Sequence, residues 1–203
     1  LALICFFIAL RIDVFCQKVE VLTYHDPART IIKEIYFIKD SISSILSGPY
    51  SSYYLNGNLE KQGYYKDNYP DSVWAYYYEN GTIKMKGFLR RGVNHGLWEY
   101  YFENGKLNMA GIIIDSRREG TWKYYYENGA LKTQGEFKND HKTGIWNSFY
   151  EDGQVKSQTY FDNRYGQYKE FYQSGKIKSE GINKDGIADS VWIFYHENGQ
   201  MKA

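Results

Sequence analysis

The chain has 203 residues, with 25 Lys and Arg against 24 Asp and Glu, so no net field draws it to nucleic acid or to an anionic membrane. Its bias is aromatic, with 22 Tyr, 11 Phe and 5 Trp but only 3 Pro. That suits a sheet with one wet side, because tyrosine packs its ring and keeps its hydroxyl in water.

Residues 1–10 form an unbroken apolar run, too short to span a bilayer. The run reads as the apolar region of a secretory signal peptide whose Met and basic start are missing. Val14, Phe15 and Cys16 precede Gln17 at a tolerable cleavage junction. The sequence therefore predicts a signal peptide over 1–16 and an exported mature chain, periplasmic or at the cell surface, starting at Gln17. Removing the leader removes both cysteines, Cys5 and Cys16, and with them any disulfide or thiolate metal site. Retained on a cytoplasmic protein, the same run would be a first buried strand. Residues 17–47 read as a degenerate hairpin and linker, with strand patterns over 19–24 and 31–39 around a turn at 25–30. Terminal repeats are commonly atypical because they cap the stack.

From residue 48 to residue 203 the chain is an array. Turn glycines recur at Gly57, Gly81, Gly105, Gly129, Gly153, Gly175 and Gly199, spaced 24, 24, 24, 24, 22 and 24 residues apart. So short a period makes each unit one supersecondary element whose core exists only between neighbours. Each unit carries two strand patterns, so the fold class is all-β: an elongated, single-layer antiparallel meander of hairpins with about sixteen strands. The last repeat is truncated by the end of the sequence. Polar stretches at 66–72, 90–96, 115–120, 138–144, 162–166 and 184–190 are the return turns. The 22-residue spacing shortens the 162–166 return, where a change of twist is expected.

In residues 96–113, Asn104-Gly105 predicts a two-residue type I′ turn, since both positions need positive φ. Phe102 then faces Leu107, Tyr100 faces Met109, and Trp98 faces Gly111, which lies beneath the indole. Trp98, Tyr100, Phe102, Leu107, Met109 and Ile113 share one face. A three-residue loop would couple Tyr101 to Leu107 and set Trp98 beside Lys106 and Asn108, so the first register is preferred. The pairing recurs as Trp74 with Gly87, Trp122 with Gly135 and Tyr168 with Gly181. Trp146 faces Thr159 instead, and Trp192 has no visible partner.

The other face carries Tyr53, Tyr77, Tyr101, Tyr125, Phe149, Phe171 and Tyr195. Directly across each hairpin this register places Glu60, Lys84, Asn108, Lys132, Lys156, Lys178 and Lys202. Each ring could simply cover a lysine stem, worth ~0.2–1 kcal/mol per pair. As a ladder the face reads as a surface for a protein partner. No residue set asks for catalysis, a metal or a cofactor. His25, His95, His141 and His196 occupy different repeat positions, and the carboxylates are spread one per turn.

The unit Trp-x-x-Tyr-Tyr-x-Glu-Asn-Gly-x-Leu-Lys-x-x-Gly-x-Phe, clear at 98–113 and 122–137, resembles the variant MORN repeat of bacterial proteins in the YwqK family of toxin–antitoxin antitoxins. The resemblance covers residues 48–203. It implies a non-enzymatic scaffold for protein–protein interaction, antitoxin-like, with no catalytic residue to carry over. MORN repeats are also associated with membrane attachment, for which a near-neutral charge offers little electrostatic support. The alternative is an exported module binding cell-wall or surface glycans through the same aromatic ladder.

Overall fold

The structure, a computed structural model, describes residues 18–162, 165–184 and 187–202. The predicted leader, its cysteines and the expected mature end at Gln17 lie outside the described residues. All regular structure described is β. A first hairpin, β1 (Val19–Tyr24) and β2 (Ile32–Ile38), leads into β3 (Leu46–Tyr53), β4 (Leu59–Lys66), β5 (Tyr69–Tyr77) and β6 (Ile83–Arg90). There follow β7 (Val93–Tyr101), β8 (Leu107–Ile114), β9 (Arg117–Tyr125), β10 (Leu131–Lys138) and β11 (His141–Phe149). The array continues through β12 (Val155–Asp162), β13 (Tyr165–Phe171), β14 (Ile177–Lys184), β15 (Ile187–Ala188) and β16 (Ile193–Phe194). Each strand pairs antiparallel with the next in one open sheet, and β15 and β16 both lie on β14 as two pieces of one last strand.

The two ends of the hairpins use different turns, and the type I′ assignment belongs to the other end. At the Asn-Gly end Gly105 N donates to Phe102 O and Phe102 N donates to Lys106 O, both at 2.9 Å. Gly105 has φ 81° whereas Asn104 does not enter the positive region. This is a three-residue loop, a type I turn closed by a left-handed glycine. Asn104 is there as an acceptor: its Oδ1 takes Lys106 N–H at 3.0 Å, as Asn80 takes Thr82 N–H at 2.9 Å. The two-residue I′ turns lie at the returns, where Asp67-Asn68, Asp115-Ser116 and Asn139-Asp140 have positive φ at both positions without any glycine.

The loop couples Tyr101 to Leu107, yet Tyr100 still pairs with Met109 and Trp98 with Gly111. A one-residue bulge reconciles the two, leaving Asn108 as the extra residue on β8. Leu107 consequently moves off the tryptophan face, and Phe102 stands at the first turn position rather than in the core. The same slip makes Glu60, Lys84, Lys132, Lys156 and Lys178 bulge residues.

Gly111 pairs with Trp98, but the indole that covers it comes from β9, on its other side. A Cβ on Gly111 would penetrate the ring of Trp122. In the same way Trp74 covers Gly63, Trp98 covers Gly87, Trp146 covers Gly135 and Trp192 covers Gly181. Trp146 therefore obeys the rule despite pairing with Thr159, and Trp192 has its partner. Each tryptophan lies on the preceding repeat, so the contact joins neighbouring units rather than closing one hairpin. Where the preceding residue keeps a side chain, as at Tyr36 and Thr159, the facing ring is Tyr50 or Tyr168 instead.

Before each of Trp74, Trp98, Trp122 and Trp146 the strand gains two residues on its neighbour, with Ser72, Gly96, Gly120 or Gly144 at positive φ. The β12–β13 register runs unshifted from Ser157–Glu170 to Asp162–Tyr165. The 22-residue repeat has thus lost this bulge, while its return keeps two residues between the strands. The core runs along one face as a row of tryptophans with Leu89, Ile113 and Phe137 buried beside them. Trp74, Trp98, Trp122 and Trp146 are only 2–5% exposed. Phe137 stands edge-on between Trp122 and Trp146, at 6.2 and 4.9 Å. Neighbouring side chains shield one another, so these tryptophans are buried without a second layer.

Candidate functional site

Opposite the tryptophans the sheet presents three parallel zones. Nearest the Asn-Gly turns, Tyr53, Tyr77, Tyr101, Tyr125, Phe149 and Phe171 pair with Leu59, Ile83, Leu107, Leu131, Val155 and Ile177. The aromatic members are half-buried, as is Tyr195 further along. The ladder is therefore aromatic on aliphatic, not aromatic on lysine. The second zone is polar. Lys86 bridges Glu99 at 2.9 Å and reaches over the Tyr101 ring at 5.6 Å, and hydrogen bonds to Glu99 and Tyr101 hold it above the ordinary lysine range. Gln62 donates to the Tyr77 hydroxyl at 2.7 Å, and Tyr195 donates to Glu180 at 2.8 Å.

The third zone, towards the returns, escaped the sequence reading. Val73 pairs with Phe88, Leu97 with Ile112 and Ile145 with Tyr160. Val73, Leu97 and Ile145 are 61, 52 and 51% exposed, and their partners are exposed too. The signal was present: the residue before each of these tryptophans must face away from it, and in three of the four it is a large aliphatic. Only the Thr121–Glu136 pair interrupts the row.

The lysines expected to frame the tyrosines serve a different series. Lys84 lies over Tyr78, Lys132 over Tyr126 and Lys156 over Tyr150, at 5.4–5.7 Å, whereas Lys178 pairs with Glu170 at 2.9 Å. These turn tyrosines stitch repeat to repeat. Tyr54 donates to Tyr77 O, Tyr78 to Tyr101 O, Tyr126 to Phe149 O, Tyr150 to Phe171 O and Tyr172 to Tyr195 O, at 2.7–2.9 Å. Phe102 cannot make the corresponding bond to Tyr125. Phe102→Tyr is expected to add ~0.5–1.5 kcal/mol of stability, read from a urea titration. No gain would mean that these hydroxyls contribute nothing.

A family model described as the MORN repeat variant matches seven segments: residues 46–67, 70–89, 94–110, 118–139, 142–163, 164–182 and 188–203. The chain belongs to the MORN repeat variant family. No curated protein matches it. MORN repeats are commonly scaffolds that bind proteins or membranes, and the repeat type is non-catalytic. Among the described residues of this MORN-repeat sheet, no group of three or more His, Cys, Asp and Glu is placed to hold a metal ion.

The tryptophan face of the MORN array holds a cleft of about 480 Å³ in its middle and another of about 740 Å³ beside Tyr36, Tyr50 and Tyr65. Tyr124, Phe137 and Trp146 wall the middle cleft, and Arg118, Lys132 and Lys142 contribute its charge. Arg118 is clamped by Asp140 at 2.8 Å and lies 3.9 Å from the centre of the Phe137 ring. Lys142 stands 4.3 Å from the Trp146 ring.

Proposed function

We propose that the chain is a non-enzymatic scaffold that binds a protein partner across the face opposite its tryptophans, in the antitoxin-like manner its YwqK resemblance implies. The observation that supports this reading is the exposed row Val73/Phe88, Leu97/Ile112 and Ile145/Tyr160 beside the Tyr77–Tyr101–Tyr125 ladder. Exposed apolar pairs repeated along one face, broken only at Thr121–Glu136, are costly to leave wet and are a common mark of a protein interface. Repetition adds a second advantage. Each repeat offers a similar weak contact, and linked contacts multiply, so affinity depends on several repeats at once. The apolar leader run makes export of this scaffold part of the proposal, whereas a retained leader on a cytoplasmic chain fits the antitoxin role.

The test compares the native chain with a Leu97→Ser/Tyr101→Ser/Ile145→Ser variant, both expressed in the host and recovered with whatever they bind. The expected result is a stoichiometric protein partner, bound at least ~10-fold more weakly by the variant, on a product whose intact mass begins at Gln17. Equal recovery by the variant would refute the face. Binding to wall material that is competed by a small sugar or choline would replace the protein reading with a glycan module.

A further inference from the structure

The cleft in the middle of the tryptophan face marks one place where the repeat breaks its own pattern. In the preceding repeats Met85 pairs with Tyr100 and Met109 with Tyr124 between the tryptophans. In the next, the pair is Thr133 and Ser148, whose hydroxyls lie 3.2 Å apart. Two bulky side chains have become two small polar ones, and the cleft opens beside them, lined by Thr133. Its floor is polar, its walls are aromatic and its lining holds three cations and no carboxylate.

Those cations are not equivalent. Arg118 has Asp140, and Lys132 reaches over Tyr126 at 5.4 Å from the exposed bulge. Lys142 is held against Trp146 and Phe161 with no ion pair among the described residues. Desolvation, followed by the charge of Arg118, pushes its ammonium below the ordinary lysine range. The side chain of Lys142 remains exposed, so an anion can reach the ammonium.

We propose that this cleft is a second binding site, which takes the carboxylate side chains of an acidic protein segment between Arg118 and Lys142, their methylene stems lying along Tyr124. Charge complementarity selects the occupant. With 25 basic against 24 acidic residues the chain lacks the broad basic field that a membrane or nucleic acid calls for, so a discrete cationic notch suits a few carboxylates on a peptide. The site lies on the opposite face from the exposed aliphatic row and can fail without affecting it.

The experiment is calorimetric titration of the chain with capped hexaglutamate at low ionic strength. One-to-one binding is expected, weakened about tenfold by Lys142→Met or Arg118→Gln and again by raising the salt. Thr133→Met/Ser148→Tyr restores the residues of the neighbouring repeats and removes no charge. It is expected to abolish binding while the fold melts at an unchanged or higher temperature. Absence of binding, or equal affinity in the filled variant, would overturn the proposal. So would capture of phosphatidylserine vesicles by the native chain and not the filled one, without hexaglutamate binding, which would give the cleft to a lipid headgroup. Should the filled variant not fold, the two charge variants decide, and unchanged affinity in both refutes the site.

Discussion

Trp122→Ala is expected to lower the unfolding free energy by ~3–5 kcal/mol, the range for deleting a large buried aromatic side chain. Trp122 is 2% exposed, and its Nε1 donates to Ile112 O at 3.1 Å. Its ring lies 6.4 Å from Tyr124 and 6.2 Å from Phe137. Removing it would bare the Gly111 backbone, orphan the Ile112 carbonyl and leave Phe137 with one aromatic neighbour in place of two. A globular core could relax into such a gap, but a one-layer sheet has no second layer to collapse onto it. In a repeat array the loss falls on the interface between neighbours. Chemical denaturation should therefore show a lower midpoint and a broader transition. A change under ~1 kcal/mol would contradict the packing described.

Gly111→Ala comes next, at about 3 kcal/mol, the upper end for overpacking a tight contact. Gly111 is outside the positive-φ region, so alanine suffers no backbone strain there and the whole cost is steric. The added methyl would enter the Trp122 ring, so either the indole swings into water or β8 and β9 separate. The chain shows the compatible alternative at β12, where Thr159 faces Tyr168 and the two-residue bulge is gone. Circular dichroism across a urea titration measures this loss, and a near-neutral alanine would mean that the indole does not rest on the glycine.

How much of this was legible follows from what each residue can encode. The 24-residue period and the Trp98–Gly111 register are both in the sequence, because periodicity and alternation survive any local choice of turn. Turn type was not legible from Asn104-Gly105, since Asn-Gly satisfies a type I′ turn and, with Asn as a side-chain acceptor, a type I turn closed by glycine. The bulge that absorbs Asn108 leaves no mark in the alternation of Trp98 and Tyr100. That hidden slip is why alternation alone puts Lys84, Lys132 and Lys156 opposite Tyr77, Tyr125 and Phe149, whereas they lie over Tyr78, Tyr126 and Tyr150. The lean of an indole was equally invisible: Gly87 pairs with Trp74 on one side and Trp98 on the other, and pairing alone does not say which ring covers it. Exposure of Leu97 and Ile145 could have been read from their place before a buried tryptophan. The cleft could have been found at Thr133 and Ser148 by comparing repeat with repeat.

A pair of double-mutant cycles tests the central claim most directly, namely that each tryptophan seals the repeat before its own. Unfolding free energies are measured for Gly111→Ala and Gly135→Ala, each in the native chain and in Trp122→Ala. Gly111→Ala should lose most of its cost once Trp122 is gone, giving a coupling of ~2 kcal/mol, whereas Gly135→Ala, which meets Trp146, should keep its full cost. Coupling of Trp122 to Gly135 rather than Gly111 would contradict the account.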